Sequence, residues 1–425
     1  MPSSISSSDI TITRPGFVRL TASDRPGIAQ PVPVRDIPAR PWARILVAVA
    51  TLLVIAVGGW EWRMRATGLE AGDLDDGPSF WAEQRRRIDA GGVAITILGD
   101  SRIAFDTDLD RFEALTGVRP VQLAIPGSNA LPFLENLADA PQFHGLAIVG
   151  IADRSYFRPG AGLGAPALER YRFESPAVRA SFLLHRALSR VLAFLDDNYR
   201  LSVLVRQLDE GWRAGAMLPA AERLWKLRTV GDDRQSFLWW RVERDERVRA
   251  HQRATWTRLV PPIPDATIVS TVERTRVAVE KIRARGGEVV FVRPPSAPEL
   301  RDFEEQTVSR ARGWDKLLAN ARVRGVHFDD YPEMQGLVLP EYSHLSRACA
   351  VVFTDAYVRA VARLTPRLTL RAQGPSSLAP ADCKESSPRQ ETTDESMGRP
   401  TADLLLRLEL GGSLSEQRLG GRGGG

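Results

Sequence analysis

Val93-Ala94-Ile95-Thr96-Ile97-Leu98-Gly99-Asp100-Ser101 is the stretch on which the rest of the chain turns. Five apolar residues and one threonine precede a Gly-Asp-Ser turn. An apolar, β-branched run without polar alternation suits a strand covered on both faces, as in a parallel sheet. Gly99 lets the backbone turn sharply where the strand ends. Asp106-Thr107-Asp108 supplies caps for a short helical pattern, Leu109 to Leu115, stopped at Gly117. A hydroxyl at the end of such a strand stands at the carboxyl edge of the sheet, where open α/β sheets place their chemistry. Ser101 is therefore read as a nucleophile whose partners lie further along.

Upstream, residues 1–40 are rich in Ser, Pro, Arg and Asp without periodicity and read as a disordered tail. Ile45 to Trp60 (ILVAVATLLVIAVGGW) then carries no charge, with Trp42 before it and Trp60 and Trp62 at its far end. Residues 41–62 are long enough to cross a bilayer, with aromatic residues at both interfaces. A core helix would show a polar face, and a cleaved signal would show small residues at a cleavage site. The expectation is a transmembrane signal anchor in the inner (plasma) membrane. Arg25, Arg35, Arg40 and Arg44 precede it. Arg63 and Arg65 follow, and then Glu70, Asp73, Asp75 and Asp76. This bias puts the N-terminus in the cytoplasm and the main domain outside, although Arg85, Arg86 and Arg87 run against it. Residues 63–90 read as a juxtamembrane linker and helix.

Downstream, Pro120–Ile125, Gly145–Ile151, Glu288–Arg293 and Val326–Tyr331 repeat the strand pattern with helical stretches between them. Strands that alternate with helices predict an α/β fold with a parallel sheet. A last helix starts at Ser346 and ends before Pro366. Residues 160–265 read as a helical insertion containing Trp212, Trp225, Trp239, Trp240 and Trp256. Packing within the insertion is the plain reading of these rings. Stacking on sugar or contact with a membrane interface are the alternatives. Residues 366–425 read as a second disordered tail. Cys383 falls in it, so a bridge to Cys349 is not expected, and no metal-ligand spacing or cofactor motif is present. The net charge of +5 comes from Arg interleaved with Asp and Glu, which describes solvated helix faces. With no zinc-finger, RNP or Walker signature, a nucleic-acid partner is not expected.

A serine nucleophile needs a base, and the base needs an acid to hold its tautomer. The chain has five histidines. His185 and His251 sit in the insertion, His144 precedes a strand at the wrong edge, and His327 lies inside a strand. His344 remains, in Pro340-Glu341-Tyr342-Ser343-His344-Leu345-Ser346. In a tight loop Glu341, three residues earlier, can meet its imidazole and leave the other ring nitrogen for a serine.

Gly99-Asp100-Ser101 after the first strand, Gly127 and Asn129 after the second, and an acid-x-x-His before the last helix resemble the SGNH (GDSL-type) hydrolases. The resemblance covers about 91–365, with the insertion set aside. It implies a flavodoxin-like three-layer αβα sandwich and the cleavage or transfer of acyl esters through a serine acyl-enzyme, as an esterase or an O-acetyltransferase. Membrane-anchored extracytoplasmic members, including relatives of the alginate O-acetylation proteins, imply a cell-envelope glycan substrate and a membrane-bound acyl-donor protein as partner. Residue by residue, Ser101 matches the nucleophile and one oxyanion donor. Gly127 matches a second donor, and His344 the base. Glu341 stands where the family has Asp, with Asp329 or Asp330 as fallback acid.

The third block departs from the family. Gly150-Ile151-Ala152-Asp153 stands where Gly-x-Asn-Asp is expected. Ala152 cannot donate, and one lost oxyanion donor costs about 10²–10³ in rate. Asn129 is a stand-in candidate, and Asp153 is kept. Arg102 replaces a small or apolar residue. It either brings a cation to an oxyanion or acidic glycan, or pairs on the surface with Asp106 or Asp108. Ala152 and Glu341 motivate an alternative, a catalytically impaired member acting as a glycan-binding or scaffolding subunit.

Overall fold

The computed structural model describes residues 40–200, 226–256, 262–372 and 374–386. Of the expected disordered tails, 1–39 and 387–425 lie outside the described residues, as do Trp212 and Trp225. The chain divides into two compact units, 1–56 and 57–425. Residues 42–56 of the first are helical and belong to the helix Trp42–Ala66. This 25-residue helix has a mean hydropathy of 2.1 in its most apolar window, none of that window is buried, and it is long and apolar enough to cross a membrane. Its length is about 37 Å at 1.5 Å per residue.

The second unit is built on strands. In chain order the described strands are β1 (Ile95–Leu98), β2 (Val121–Gln122), β3 (Leu146–Gly150), β4 (Arg228–Val230), β5 (Ser236–Leu238), β6 (Glu288–Arg293) and β7 (Arg324–His327). Five of them form one sheet in the order β2-β1-β3-β6-β7, and every pairing in it is parallel. Each overlaps a run read as a strand, but β7 shares only Val326 and His327 with the expected Val326–Tyr331, because Phe328–Asp330 is a turn of 3₁₀ helix. β2 is shorter than its run, although the Leu123 and Ile125 N–H groups continue the ladder to the Ile97 and Gly99 carbonyls. The chain starts in the middle of the sheet, crosses to one edge, then returns past β1 to the other. The order reverses between β1 and β3, and the carboxyl ends at such a switch point are where open α/β sheets bind their ligands.

Strand residues alternate between two cores, as the pleat requires. Leu98, Ala147, Val149, Val289 and Phe291 face one core, with Leu134, Val279 and Leu317 from helices on that side. Ile95, Ile97, Ile148, Val290, Val292 and Val326 face the other, with Ile103, Phe112, Phe353 and Val361. Asp108 caps the helix Leu109–Thr116, which ends at Gly117 with φ +79°, and Ser346 caps the helix Arg347–Leu364.

Two expectations are corrected here. The insertion is not all helix. It carries the antiparallel hairpin β4–β5 between the helices Pro176–Ser189 and Trp240–Arg244. Strands of three residues are too short to show a period-two pattern. The described C-terminal residues up to Ser386 also pack on the domain. Leu368 is buried, and Leu370 and Leu378 pack beside it against the core that holds the helix Arg347–Leu364. The helix Pro380–Ser386 then brings Cys383 to Cys349, and the two form a disulfide. Single leucines spaced along a polar segment supply the burial that its composition hides.

Candidate active site

Ser101 is the first residue of the helix Ser101–Asp106, which leaves the sheet directly from β1. Asp100 caps it. Its Oδ1 accepts the Arg102 N–H at 3.1 Å, and its Oδ2 accepts the Ser155 hydroxyl at 2.5 Å. Two glycines let this helix lie on the strand ends. A Cβ at Gly99 would stand 2.2 Å from Ile103 Cγ2, and one at Gly150 would stand 2.4 Å from Ile103 Cβ. Ser101 is thereby held at the carboxyl edge and is 9 % exposed.

The loop before the helix Arg347–Leu364 is seated on the same short helix. The Leu345 N–H donates to Asp106 Oδ1 at 2.9 Å, the Arg102 Nε–H donates to Ser343 Oγ at 3.3 Å, and the His344 ring lies 4.5 Å from the Phe105 ring. Tyr342 has φ +78°, a left-handed conformation that folds Glu341 back toward His344. Glu341 Oε1 receives His344 Nδ1 at 2.8 Å, the His344 N–H at 2.6 Å and the Ser343 N–H at 3.3 Å. Its Oε2 accepts Trp256 Nε1–H. Both Glu341 and His344 are fully buried. A carboxylate facing Nδ1 assigns the ring proton to that nitrogen and leaves Nε2 as the acceptor. Nε2 is buried and has no hydrogen-bond partner among the described residues, so Ser101 Oγ is not bonded to it in this conformation.

Arg102 is bonded to neither Asp106 nor Asp108. It is buried and paired with Glu304. Glu304 Oε2 also meets Arg293 Nη2 at 2.7 Å and the Ser296 hydroxyl at 2.9 Å, and Arg293 Nε donates to Asp153 Oδ2 at 2.7 Å. Burial pushes the Glu304 carboxyl up, but the two guanidinium groups outweigh it and hold it down at about 2. Burial outweighs Arg293 at Asp153 and raises that carboxyl above its ordinary range. The Arg102 charge is thus matched inside the protein. Its Nη1 and Asp153 Oδ1 are buried without a partner among the described residues.

The remaining candidates are held in contacts of their own. Gly127 is exposed, at φ +68° in the turn Ile125-Pro126-Gly127-Ser128, which the Ser128 N–H closes on the Ile125 carbonyl at 3.2 Å. Pro then Gly at the two central positions is the type II pattern. Asn129 is engaged in structure: Oδ1 accepts the Leu131 N–H at 2.8 Å, and Nδ2 donates to the Arg158 carbonyl at 2.5 Å. Asp329 is gripped by Arg301 and lies 3.4 Å from His327 Nδ1, while Asp330 pairs with Arg310 at 2.8 Å. The acid beside His344 is therefore Glu341, and the fallback acids belong to other contacts. His327 packs between Trp314 and Phe328. Burial, then Arg293 and Arg310, holds its pKa down at about 3.

Sequence reasoning passed over Trp256 as a site residue, along with Arg293, Glu304, Ser343 and Asp106. Arg293 alone carried a signal, a charge ending a buried strand. Among the described residues no three His, Cys, Asp or Glu side chains are grouped to hold a metal. A cavity of about 480 Å³ lies elsewhere, between the helices Leu131–Ala138 and Asp265–Ala284. Chemically, a carboxylate-held imidazole with a free Nε2 can accept a proton and carry the positive charge that results. Compared with known proteins, the sequence matches no protein-family model and no curated protein.

Proposed function

We propose that the chain is a membrane-anchored acyl-ester enzyme of the SGNH type, with a flavodoxin-like sandwich. In this reading Ser101 Oγ attacks the ester carbonyl while His344 Nε2 takes its proton. Glu341 stabilises the imidazolium. The N–H groups of Ser101 and Gly127 receive the oxyanion. The alcohol leaves with the proton from His344, and the acyl group on Ser101 passes to water or to a sugar hydroxyl. The observation that carries it is the buried Glu341–His344 pair, 2.8 Å apart with Nε2 unpaired, seated on the helix that begins with Ser101. The reading requires Ser101 Oγ to meet Nε2 when substrate binds, a contact that is often loose in a free enzyme. An extracytoplasmic glycan substrate and a membrane-bound acyl-donor partner rest on the family resemblance. The cytoplasmic N-terminus rests on charge bias, and the Cys349–Cys383 bridge supports an oxidising compartment for the domain.

A fluorophosphonate probe on the full detergent-solubilised chain tests the chemistry. Labelling is expected at Ser101, absent in Ser101→Ala and slowed about 10²–10⁴-fold in His344→Ala. Labelling unchanged in His344→Ala overturns the dyad. A second reading, a glycan-binding or scaffolding subunit, draws on the full burial of His344 and on Ala152 at the third block. It requires a wild-type protein that the probe does not label.

A further inference from the structure

The helix Pro176–Ser189 is inside out. Ala177, Ala180, Leu184, Leu188 and, just past its end, Val191 recur at three- and four-residue spacing, and all are exposed. Leu184 is 63 % and Val191 60 % exposed. The face turned to the protein holds Phe182 6.0 Å from Phe80, Arg186 over the Phe80 ring and bonded to Glu83 at 2.6 Å, and a buried Ser189. A helix on a water-facing surface has the opposite arrangement, with leucines inward and arginines outward.

The stripe also has a fixed address. The two carboxylate oxygens of Glu61 accept the Ala193 and Phe194 N–H groups at 2.9 and 3.0 Å, and Arg65 Nη2 donates to the Val191 carbonyl at 3.0 Å. The end of the stripe is thus fastened to the last turns of the apolar helix, beside an exposed Trp62. These are the turns at which Trp and Arg mark the headgroup level of a membrane span. We propose that Pro176–Ser189 and the turn after it form a membrane-surface element, their leucine stripe sunk about 5–10 Å into the headgroup boundary. The occupant is the lipid surface, and the argument rests on reading Trp42–Ala66 as a membrane span. The side chains of Arg65 and Arg190, both half exposed, stand at the rim where lipid phosphates would lie. Docked this way, the insertion sets how the domain sits on the bilayer.

Both native cysteines are bridged, so one engineered cysteine in the full chain carries a single environment-sensitive fluorophore. The chain is reconstituted in vesicles of phosphatidylcholine and phosphatidylglycerol with lipid-borne quenchers at shallow or deep positions. Leu184→Cys is expected to be quenched by the shallow quencher several-fold more than Val269→Cys, an exposed control, while Leu52→Cys is quenched by the deep one. A Leu184 probe that is water-like and unquenched, with Leu52 deep, overturns the surface element and leaves the anchor standing. A Leu184 probe that is shielded yet unquenched means protein covers the stripe, either residues 201–225 or a second copy, and overturns it too. A Leu52 probe outside the hydrocarbon overturns the anchor reading and this inference with it.

Discussion

Asp106 is buried, and no cation pairs with it among the described residues. One carboxylate oxygen receives the Leu345 N–H, and the other has no partner. Burial pushes this carboxyl well above its ordinary range, which favours the neutral acid. Asp106→Asn is therefore expected to leave stability near that of the wild type, because the amide oxygen still seats Leu345. Asp106→Ala frees that N–H and is expected to cost about 1–3 kcal/mol in urea denaturation, together with slower probe labelling at Ser101. Asn as damaging as Ala would mean that the charged form is the one the loop needs. The two centres of this site differ in how far sequence reveals them. Glu341 and His344 share one loop, so their spacing in the chain already implies contact. The partners of Arg102 and Glu341 are 202 and 85 residues away, at Glu304 and Trp256. Neither of those stands out from the other glutamates or tryptophans around it.

At the level of elements, the helix that presents Ser101 is positioned by what is missing beneath it. Ile103 drops into the space above Gly99 and Gly150, at the ends of two adjacent strands. Gly150→Ala puts a methyl within 2.4 Å of Ile103 Cβ, with the strand on one side and the helix on the other. Overpacking of this kind costs about 1–3 kcal/mol. The expected outcome is a lower denaturation midpoint and weaker labelling of Ser101 at temperatures where circular dichroism still reports a folded chain. Labelling that tracks the folded fraction alone would show that the helix tolerates displacement. The glycine after β1 was legible because a turn must follow a buried strand. The role of Gly150 was not, since it faces a residue from another strand's connection. The strands β1, β3 and β6 were legible for the same reason that they are stable: each is an apolar run covered on both faces. The hairpin β4–β5 lacks that mark, and so does the helix Pro380–Ser386.

Over the whole molecule, the disulfide ties the start of the helix Arg347–Leu364 to the C-terminal helix, across a separation of 34 residues. It also stands behind the loop of His344. The Val338 N–H donates to Cys349 Sγ at 3.2 Å, and the Val338 carbonyl accepts the Ser346 N–H at 2.9 Å. Closing a loop of this size restricts the unfolded chain enough to stabilise the fold by about 3–4 kcal/mol. Reducing the purified protein is expected to lower its stability by that amount. The bridge bears on topology as well. Structural disulfides persist in oxidising compartments and are rare in the cytoplasm, while the arginines ahead of the apolar helix favour a cytoplasmic N-terminus. The two arguments are independent, one from the last helix and one from the first, and they agree only if the main domain is outside. Thiol trapping in intact cells decides between the arrangements. Cells are quenched in acid, and a maleimide of high mass added to the denatured chain is expected to leave it unshifted on a gel until a reductant is added, after which both thiols react. Two thiols that react in the denatured chain with no reductant would place the domain on the reducing side, and the proposed orientation would then be wrong.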